Sequence, residues 1–439
     1  MTTPLDTRTE PPKIFRWIVL LFASLSMFGN YYIYDSINPL VDIFIQQLGF
    51  TNENVGWLNS SYSIAAVLTL IIGGIVVDRI GTKKSMFVFS ALCLVGAALM
   101  VFEGNFWLMI AGRTILGLGA ESLIVAVTTA LAKWFKGKEL SFAFGINLTI
   151  ARLASVAADN SPSWASWAFY PGGTHADPSW RGPLMIAVGA GVICVAASMV
   201  YWWLENVAEK RYTLGAAGQT DKLEFSSMFK FGKSYWLIVG LCFTFYSAIF
   251  PFRTFAIKFF MDTHFIGVEE ELARSSAGFF NSLLPMSAMF VTPLFGLIAD
   301  KFGKRALLMM FGSLLLVPVY LIMAYTGITL WLPVTMMGIA FSLIPAVMWP
   351  SVAYIVEEKR LGTAYALMTL IQQIGFFAFN LAIGMANDFS KADSTNPQGY
   401  ALGMWLFSTL GFLGLLFAFL LRKNETGPNA HGLETITMK

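Results

Sequence analysis

The chain has 439 residues, of which 56% are hydrophobic and only 13% are charged, against roughly 25% charged in an average soluble domain. This composition excludes a soluble globular protein, and a net charge of +3 gives no reason to expect a nucleic-acid partner. An apolar run of about 20 residues crosses a bilayer as a helix, so we predict an integral membrane protein with the lipid bilayer as a partner.

Twelve apolar runs predict twelve membrane-spanning helices, which places both termini on one side. About 22 of the 29 Lys and Arg residues fall on that side. Because positively charged loops stay in the cytoplasm, we predict cytoplasmic termini. The predicted spans are residues 14–45, 54–77, 84–103, 106–135, 140–166, 182–204, 234–261, 275–299, 305–326, 329–356, 361–386 and 400–421.

The spans divide into two halves of six. We predict an N-terminal six-helix bundle over residues 14–204 and a C-terminal six-helix bundle over residues 234–421. Residues 205–233 are polar and charged and form the predicted cytoplasmic linker, and residues 1–13 and 422–439 form cytoplasmic tails. The expected fold class is an all-α membrane protein.

One short loop occurs twice and relates the two halves. Residues 74–84 read GIVVDRIGTKK, and residues 296–305 read GLIADKFGKR. In the first copy, Gly81 permits a tight turn, and Asp78 can lie at a helix terminus or meet a facing Arg. The alternative is an ordinary positively charged loop that happens to contain Asp, and two copies at matching positions argue against it.

Two charges lie deep in predicted spans four and five. Glu121 is about 15 residues from the start of its span and Arg152 about 12, so both approach the membrane midplane at ~1.5 Å per residue. An unpaired charge at that depth costs at least about 2.5–3.5 kcal/mol. Either the two form a buried ion pair that joins the helices, or they line a wet cavity and hold the ammonium and carboxylate ends of a zwitterion.

Other polar and aromatic side chains lie at comparable depths and suit a cavity wall. For any single Tyr or Trp, packing between helices or anchoring at the membrane interface is the alternative. Asp35 and Arg253 lie nearer the outer ends of their spans, where we expect Asp35 to remain hydrated. The remaining candidates for the wall are Tyr31, Tyr32, Tyr34, Asn147, Tyr246, Trp349, Gln372 and Gln373.

Helix breakers and small residues give further expectations. Pro285, Pro293 and Pro350 predict bends in spans eight and ten. The GLG stretch at 117–119 predicts a close helix contact and does not follow a strand, so it is no dinucleotide site. The long aromatic segment 159–181 is expected to cover the outer mouth of the cavity.

We expect no cofactor and no metal. The three cysteines lie singly inside spans, without metal or disulfide spacing. The three histidines lie far apart outside the membrane core, and neither an H-E-x-x-H nor a G-x-S-x-G motif is present, so an enzyme is disfavoured. These residues are Cys93, Cys194, Cys242, His175, His264 and His431.

The G-x-x-x-D-R/K-x-G-x-K/R loop and its copy resemble the signature loop of the major facilitator superfamily, and Arg113 in GRTILGLG is similar to that family's span-four pattern. The resemblance implies two bundles of inverted three-helix repeats around a central cavity, with alternating access by rocking of the halves. The residues that it implies for this motion are Gly74, Asp78, Arg79, Gly81, Arg113, Asp300, Lys301 and Gly303.

Longer strings are similar to the subgroup of the lysosomal dipeptide uniporter, which pairs with a glycosylated membrane partner. They are GLGAESL, IARLAS, MWPSVAYIV and LGTAYALMTLIQQIG. This resemblance implies a dipeptide substrate, with Glu121 receiving its amino terminus, Arg152 its carboxylate, and Trp349 and the span-one tyrosines enclosing it. Span one lacks the E-x-x-E-R pattern of proton-coupled oligopeptide transporters, which favours uniport.

Several alternatives remain open. One is a proton-coupled or exchange transporter of organic anions or amino acids. For organic anions, Arg152 and Arg253 would matter and Glu121 would hinder. Another is a receptor or subunit that no longer transports. The tails show no acidic-dileucine sorting signal, so we expect a bacterial inner membrane more than a lysosomal one. We also expect a monomer, with an accessory membrane subunit only if the protein is eukaryotic-like.

Overall fold

The structure, a computed structural model, describes residues 10–135, 138–173, 177–213, 231–428 and 430–437, without the side chains of residues 70, 71 and 359. Most of the predicted N-terminal tail, residues 214–230 of the predicted linker and His175 lie outside these ranges. Within them the chain is helical and forms no β-strand.

Fifteen α-helices follow one another along the described chain. They are α1 (Lys13–Asp35), α2 (Val41–Leu48), α3 (Asn52–Ile80), α4 (Thr82–Val101), α5 (Phe106–Phe135), α6 (Leu140–Asp159), α7 (Ser161–Trp164), α8 (Ser166–Phe169), α9 (Arg181–Arg211), α10 (Lys233–Thr263), α11 (Glu270–Phe302), α12 (Arg305–Tyr325), α13 (Trp331–Ile355), α14 (Leu361–Phe389) and α15 (Ala401–Glu425).

Eleven helical segments of the described chain are long and apolar enough to cross a membrane. The helix α3 bends by 54° between Thr69 and Ile72 and makes a twelfth span if it is counted as one. The first span runs from Lys13 to Leu48 and includes both α1 and α2. The prediction of an all-α membrane protein is therefore confirmed.

The end of span five was predicted wrongly. The helix α6 ends at Asp159, and the one-turn helices α7 and α8 follow where residues 160–166 were expected to continue the span. Pro162 explains the break, because proline lacks the N–H of a helix interior and fits the first turn of a new helix. The next span, α9, continues past residue 204 to Arg211, into the predicted linker.

Helix packing gives two bundles. One hydrophobic cluster lies wholly within the N-terminal bundle, and the other combines the C-terminal bundle with residues of the N-terminal half such as Phe44 and Phe169. In the N-terminal bundle α4 packs on α5 and α9, α3 on α5, and α1 on α6 and α9; in the C-terminal bundle α12 packs on α13 and α15, α10 on α14 and α15, and α11 on α13. The bundles meet along two seams, α3 against α14 and α6 against α11. We call the end that holds the start of α1 and the end of α15 the terminal end, and the opposite end the distal end.

Small residues allow the close approach of helices. A Cβ atom on Gly56 of α3 would lie 2.5 Å from the carbonyl oxygen of Asn380 on α14, so only glycine fits at this point of the seam. Within the N-terminal bundle, a Cβ on Gly117 would lie 2.5 Å from the carbonyl oxygen of Tyr62. The predicted packing role of the GLG stretch is confirmed.

Candidate functional site

A cavity of about 320 Å³ lies between the two bundles. Eight of the ten side chains predicted for its wall line it, and six others were missed. The predicted residues present are Tyr31, Tyr34, Glu121, Arg152, Tyr246, Trp349, Gln372 and Gln373, and the missed ones are Asn30, Tyr62, Ile124, Phe250, Thr369 and Phe376.

Glu121 is held by two neutral donors. The hydroxyl of Tyr62 donates to its Oε1 at 2.9 Å, and Nε2 of Gln373 donates to the same oxygen at 3.2 Å. Tyr62 lies on α3 of the same bundle, whereas Gln373 lies on α14 of the other bundle. The carboxylate is therefore hydrogen-bonded but has no cation beside it among the described residues.

Arg152 is bounded by aromatic rings. Its Cζ lies 5.9 Å from the ring centroid of Tyr31 on α1 and 5.5 Å from that of Phe341 on α13. Both distances suit cation–π attraction, in which the face of the ring carries partial negative charge. Arg152 is half-buried, and no hydrogen bond joins its guanidinium to another side chain of the described ranges, so its donors are available to a ligand.

The alternative of a buried ion pair between Glu121 and Arg152 does not hold in this structure. Among the described side chains, no carboxylate oxygen lies within the 4.0 Å ion-pair limit of the Arg152 guanidinium. One cavity therefore contains an acceptor for an ammonium group and a donor set for a carboxylate, and neither is neutralised by the other.

Aromatic side chains form the wall contributed by the C-terminal bundle. Nε1 of Trp349 donates to the hydroxyl of Tyr246 at 2.9 Å. The rings of Phe250 and Phe376 lie 4.8 Å apart beside them. Pro345 and Pro350 flank Trp349 within α13. This wall can contact apolar or aromatic groups of a bound molecule.

Tyr32 and Asn147 do not line the cavity, so their predicted place in its wall was wrong. Tyr32 is buried between the rings of Phe28 and Trp164, with centroid distances of 6.4 and 6.3 Å. Asn147 is buried within the N-terminal bundle. The reason is helical rotation: five residues turn a helix by about 500°, so Asn147 faces about 140° away from Arg152.

The distal end of the cavity is closed by a buried charge cluster that joins the bundles. Nη2 of Arg253 lies 2.7 Å from Oδ2 of Asp159, and its Nη1 lies 3.4 Å from Oδ1 of Asp35. Asn38 and Asn281 each donate to Oδ1 of Asp159 at 3.0 Å. Asp35 is only 2% exposed, so the expectation that it stays hydrated was wrong.

Further contacts close the distal end beyond this cluster. Arg274 of α11 pairs with Asp42 of α2 at 2.5 Å and donates to the hydroxyl of Tyr170 at 3.1 Å. Asp388 accepts from the backbone N–H groups of Asn52 and Glu53 at 2.9 and 2.7 Å, and so caps the start of α3 from the opposite bundle. The structure is therefore closed at its distal end.

Segment 159–181, expected to cover the outer mouth, takes part in this closure. Ser163 of α7 lies 2.5 Å from the hydroxyl of Ser275 on α11, and Tyr170 contacts Arg274 as described. Residues 174–176 lie outside the described ranges.

In both loop copies, a glycine with a positive φ angle ends the helix. Gly81 ends α3 with φ +82°, and Gly303 ends α11 with φ +64°, a region that favours glycine. In the second copy, Asp300 pairs with Arg305 at 3.0 Å.

The other residues implied for the rocking motion lie around these turns or deeper in the bundle. Gly74 is half-buried, Asp78 and Arg79 are exposed, and Lys301 lies over the ring of Phe302 at 5.6 Å. Arg113 is fully buried and donates to the carbonyl oxygen of Tyr34 at 3.0 Å. It therefore joins α5 to α1 inside the N-terminal bundle and does not touch the loop.

Tyr62 and Phe341 are the most informative residues that the sequence prediction missed. Tyr62 lies in the polar stretch 59–63, NSSYS, inside an otherwise apolar span, which is a signal that sequence reasoning could have used. Phe341 gives no such signal, because an apolar residue in an apolar helix is unremarkable. No group of three His, Cys, Asp or Glu side chains in the described ranges is arranged to hold a metal ion.

Comparison with known proteins agrees with this architecture. The model of the Major Facilitator Superfamily matches residues 20–380, with a second match over residues 254–435. A relative from Danio rerio named lysosomal dipeptide transporter MFSD1 is 31% identical over 378 residues, which covers 85% of this chain and 81% of the relative. The Homo sapiens protein of the same name is 30% identical and covers 88% and 83%.

Solved structures show the same fold at low identity. A bacterial homologue of the human lysosomal transporter Spinster, in an inward-facing and unoccupied conformation, has a TM-score of 0.75 at 16% identity and covers 94% of this chain and 98% of its own. A mutant of the nucleoside transporter NupG has a TM-score of 0.73 at 13% identity and covers 92% and 98%.

The resemblance inferred from the two loop copies is thereby confirmed. Neither the family nor these relatives are enzymes. The chain belongs to the Major Facilitator Superfamily and is a multi-pass membrane transporter.

Proposed function

We propose that this transporter carries dipeptides by alternating access and works as a uniporter. The observation that carries the proposal is that Glu121 and Arg152 face one cavity with neutral partners only. A free dipeptide brings an ammonium group for the carboxylate and a carboxylate for the guanidinium. The guanidinium can donate two parallel N–H···O bonds to that carboxylate.

The energetics favour a zwitterion over a singly charged substrate. Charges deep in a membrane protein are costly unless they are paired or hydrated. A zwitterion that replaces the cavity water can pair with both charges at once, whereas an organic anion would satisfy Arg152 and lie near the like charge of Glu121. The aromatic wall around Trp349 and Tyr246 offers contacts for the side chains of a peptide.

The relatives support the dipeptide as substrate. Proteins named lysosomal dipeptide transporter match 85–88% of the chain at 30–31% identity. The strings that resemble this subgroup contribute Glu121, Arg152 and Trp349 to the cavity wall.

The net charge of the loaded cavity favours uniport. A zwitterion has no net charge, and the cavity already contains one carboxylate and one guanidinium, so the loaded cavity needs no coupling ion to be neutral. In the cell membrane of a bacterium, the proposed orientation places the terminal end in the cytoplasm, as the Lys and Arg distribution favours. A monomer, with an accessory membrane subunit only if the protein is eukaryotic-like, remains our prediction.

The experiment is counterflow of a labelled dipeptide in proteoliposomes. Glu121→Gln and Arg152→Gln should each abolish exchange while the purified protein stays monodisperse. The matched controls are Glu103→Gln and Arg181→Gln, which change the same side-chain types at exposed distal positions and should leave the flux unchanged. Full counterflow in either cavity variant would refute the binding roles, and flux of organic anions without flux of dipeptides would favour the alternative substrate class.

A further inference from the structure

Each charge in the cavity has one neutral partner from its own bundle and one from the opposite bundle. For Glu121 the partner from the opposite bundle is Gln373, which donates to it across the cavity at 3.2 Å. For Arg152 it is the ring of Phe341. Both charges thus have a neutral contact from across the cavity.

These contacts are relevant to the return of the empty carrier from one side of the membrane to the other. A uniporter must perform this step, whereas an obligatory exchanger need not. When the two bundles close around an empty cavity, Glu121 loses cavity water and has no ammonium group beside it. With Tyr62 as its one other donor among the described residues, the buried carboxylate would be incompletely compensated, which is disfavoured. A hydrogen-bond donor from the opposite bundle lowers the barrier to closure, because it replaces part of the lost hydration.

We propose that Gln373 is a positioning residue that lets the empty carrier reorient, by donating to Glu121 whenever no ammonium group is present. This inference rests on the proposed uniport of dipeptides. Because a carboxylate only accepts, the amide NH₂ of Gln373 must face Glu121, and its Oε1 is left buried without a partner among the described residues. The same side chain can therefore donate to Glu121 in the empty cavity and accept from an ammonium group in the filled one.

The place of Gln373 in the fold fits this role. It lies on the face of α14 that forms the seam with α3, where the carbonyl oxygen of Phe377 accepts from Ser60 at 2.8 Å. One turn further, Asn380 accepts from Thr254 of α10 at 3.0 Å, and Thr254 in turn accepts from Asn59 of α3 in the opposite bundle at 2.8 Å. Gln373 carries this line of polar contacts to the level of the cavity.

The test compares net flux with exchange in the same proteoliposomes. Net efflux into substrate-free buffer requires the empty carrier to return, whereas counterflow with dipeptide on both sides does not. Gln373→Leu should lower net efflux relative to counterflow by roughly tenfold or more, since a hydrogen bond to a charged group is lost from the empty state. Gln373→Met, which keeps an unbranched side chain of similar length, should show the same change in this ratio.

The matched control is Gln372→Leu. Gln372 also lines the cavity but makes no hydrogen bond to Glu121 in the described structure, so this variant should leave the ratio of net efflux to counterflow unchanged even if both fluxes fall. An unchanged ratio in both Gln373 variants would overturn the inference. Absence of any dipeptide flux in the unmodified protein would instead overturn the proposed function, so the two failures are distinguishable.

Discussion

Replacing Arg253 with Met should open the distal end of the transporter. Arg253 of the C-terminal bundle pairs with Asp159 at 2.7 Å and with Asp35 at 3.4 Å, and both carboxylates belong to the N-terminal bundle. All three residues are at most 2% exposed. Methionine keeps much of the length of the arginine side chain and removes its charge, so two buried carboxylates would face each other without a cation.

The size of the effect follows from the burial of this cluster. Removing one partner of a buried ion pair costs about 3–5 kcal/mol, because the remaining charge is left uncompensated. This cost applies to the closed state alone, since water can reach both carboxylates once the distal end opens. At about 1.4 kcal/mol per factor of ten, the distal-open population should rise relative to the closed one by about two to three and a half powers of ten.

Spin labels can report this change. Residues 103 and 327 lie in exposed distal turns of the two bundles, and the three native cysteines are buried. Electron–electron distance measurements between labels at Glu103→Cys and Gly327→Cys should give a longer distance in Arg253→Met. Arg181→Met, at an exposed distal position, is the matched control and should keep the shorter distance. An unchanged distribution in Arg253→Met would refute the closing role of the cluster.

Two further predictions concern stability and the seam. Gly56→Ala should lower the thermal midpoint and the counterflow rate, because its Cβ would lie 2.5 Å from the carbonyl oxygen of Asn380. The control Gly145→Ala, with no atom within 4 Å of its Cβ, should change neither quantity. Equal behaviour of the two variants would contradict this reasoning. Oε1 of Glu434 accepts from the N–H of Leu307 in the first turn of α12 at 3.0 Å. Glu434→Ala should therefore lower the free energy of unfolding by about 1 kcal/mol, which corresponds to a fall of about 1–2 °C in the thermal midpoint of a chain of this length. An unchanged midpoint in a thermal-shift assay would contradict this prediction.

The depth of a residue in the membrane was predictable from the sequence, because the rise of a helix does not depend on its neighbours. This is why Glu121 and Arg152 were predicted to lie at one level, and both side chains line one cavity. The loop repeat likewise predicted two bundles, because two copies of a turn that requires glycine mark equivalent positions.

The rotation of each helix was not predictable, because it depends on which helices pack against it. Tyr31 and Tyr34 face the cavity whereas Tyr32 does not, and the string YYIY contains nothing that separates them. Contacts between bundles were missed for the same reason. The pairing of Asp35 with Arg253 joins residues 218 positions apart, so the sequence alone could not show that the carboxylate is buried.

The proposed role of Arg152 is tested most directly by changing the ligand and the protein in turn and measuring the affinity of each combination. Isothermal titration would compare a dipeptide with its C-terminal amide on the unmodified protein and on Arg152→Gln. A hydrogen bond to a charged group contributes about 1.5–3 kcal/mol, so amidation should weaken binding to the unmodified protein by roughly 10- to 150-fold. Amidation should have little effect on binding to Arg152→Gln. An equal loss of affinity in both proteins would contradict the claim that Arg152 binds the carboxylate end of a zwitterion.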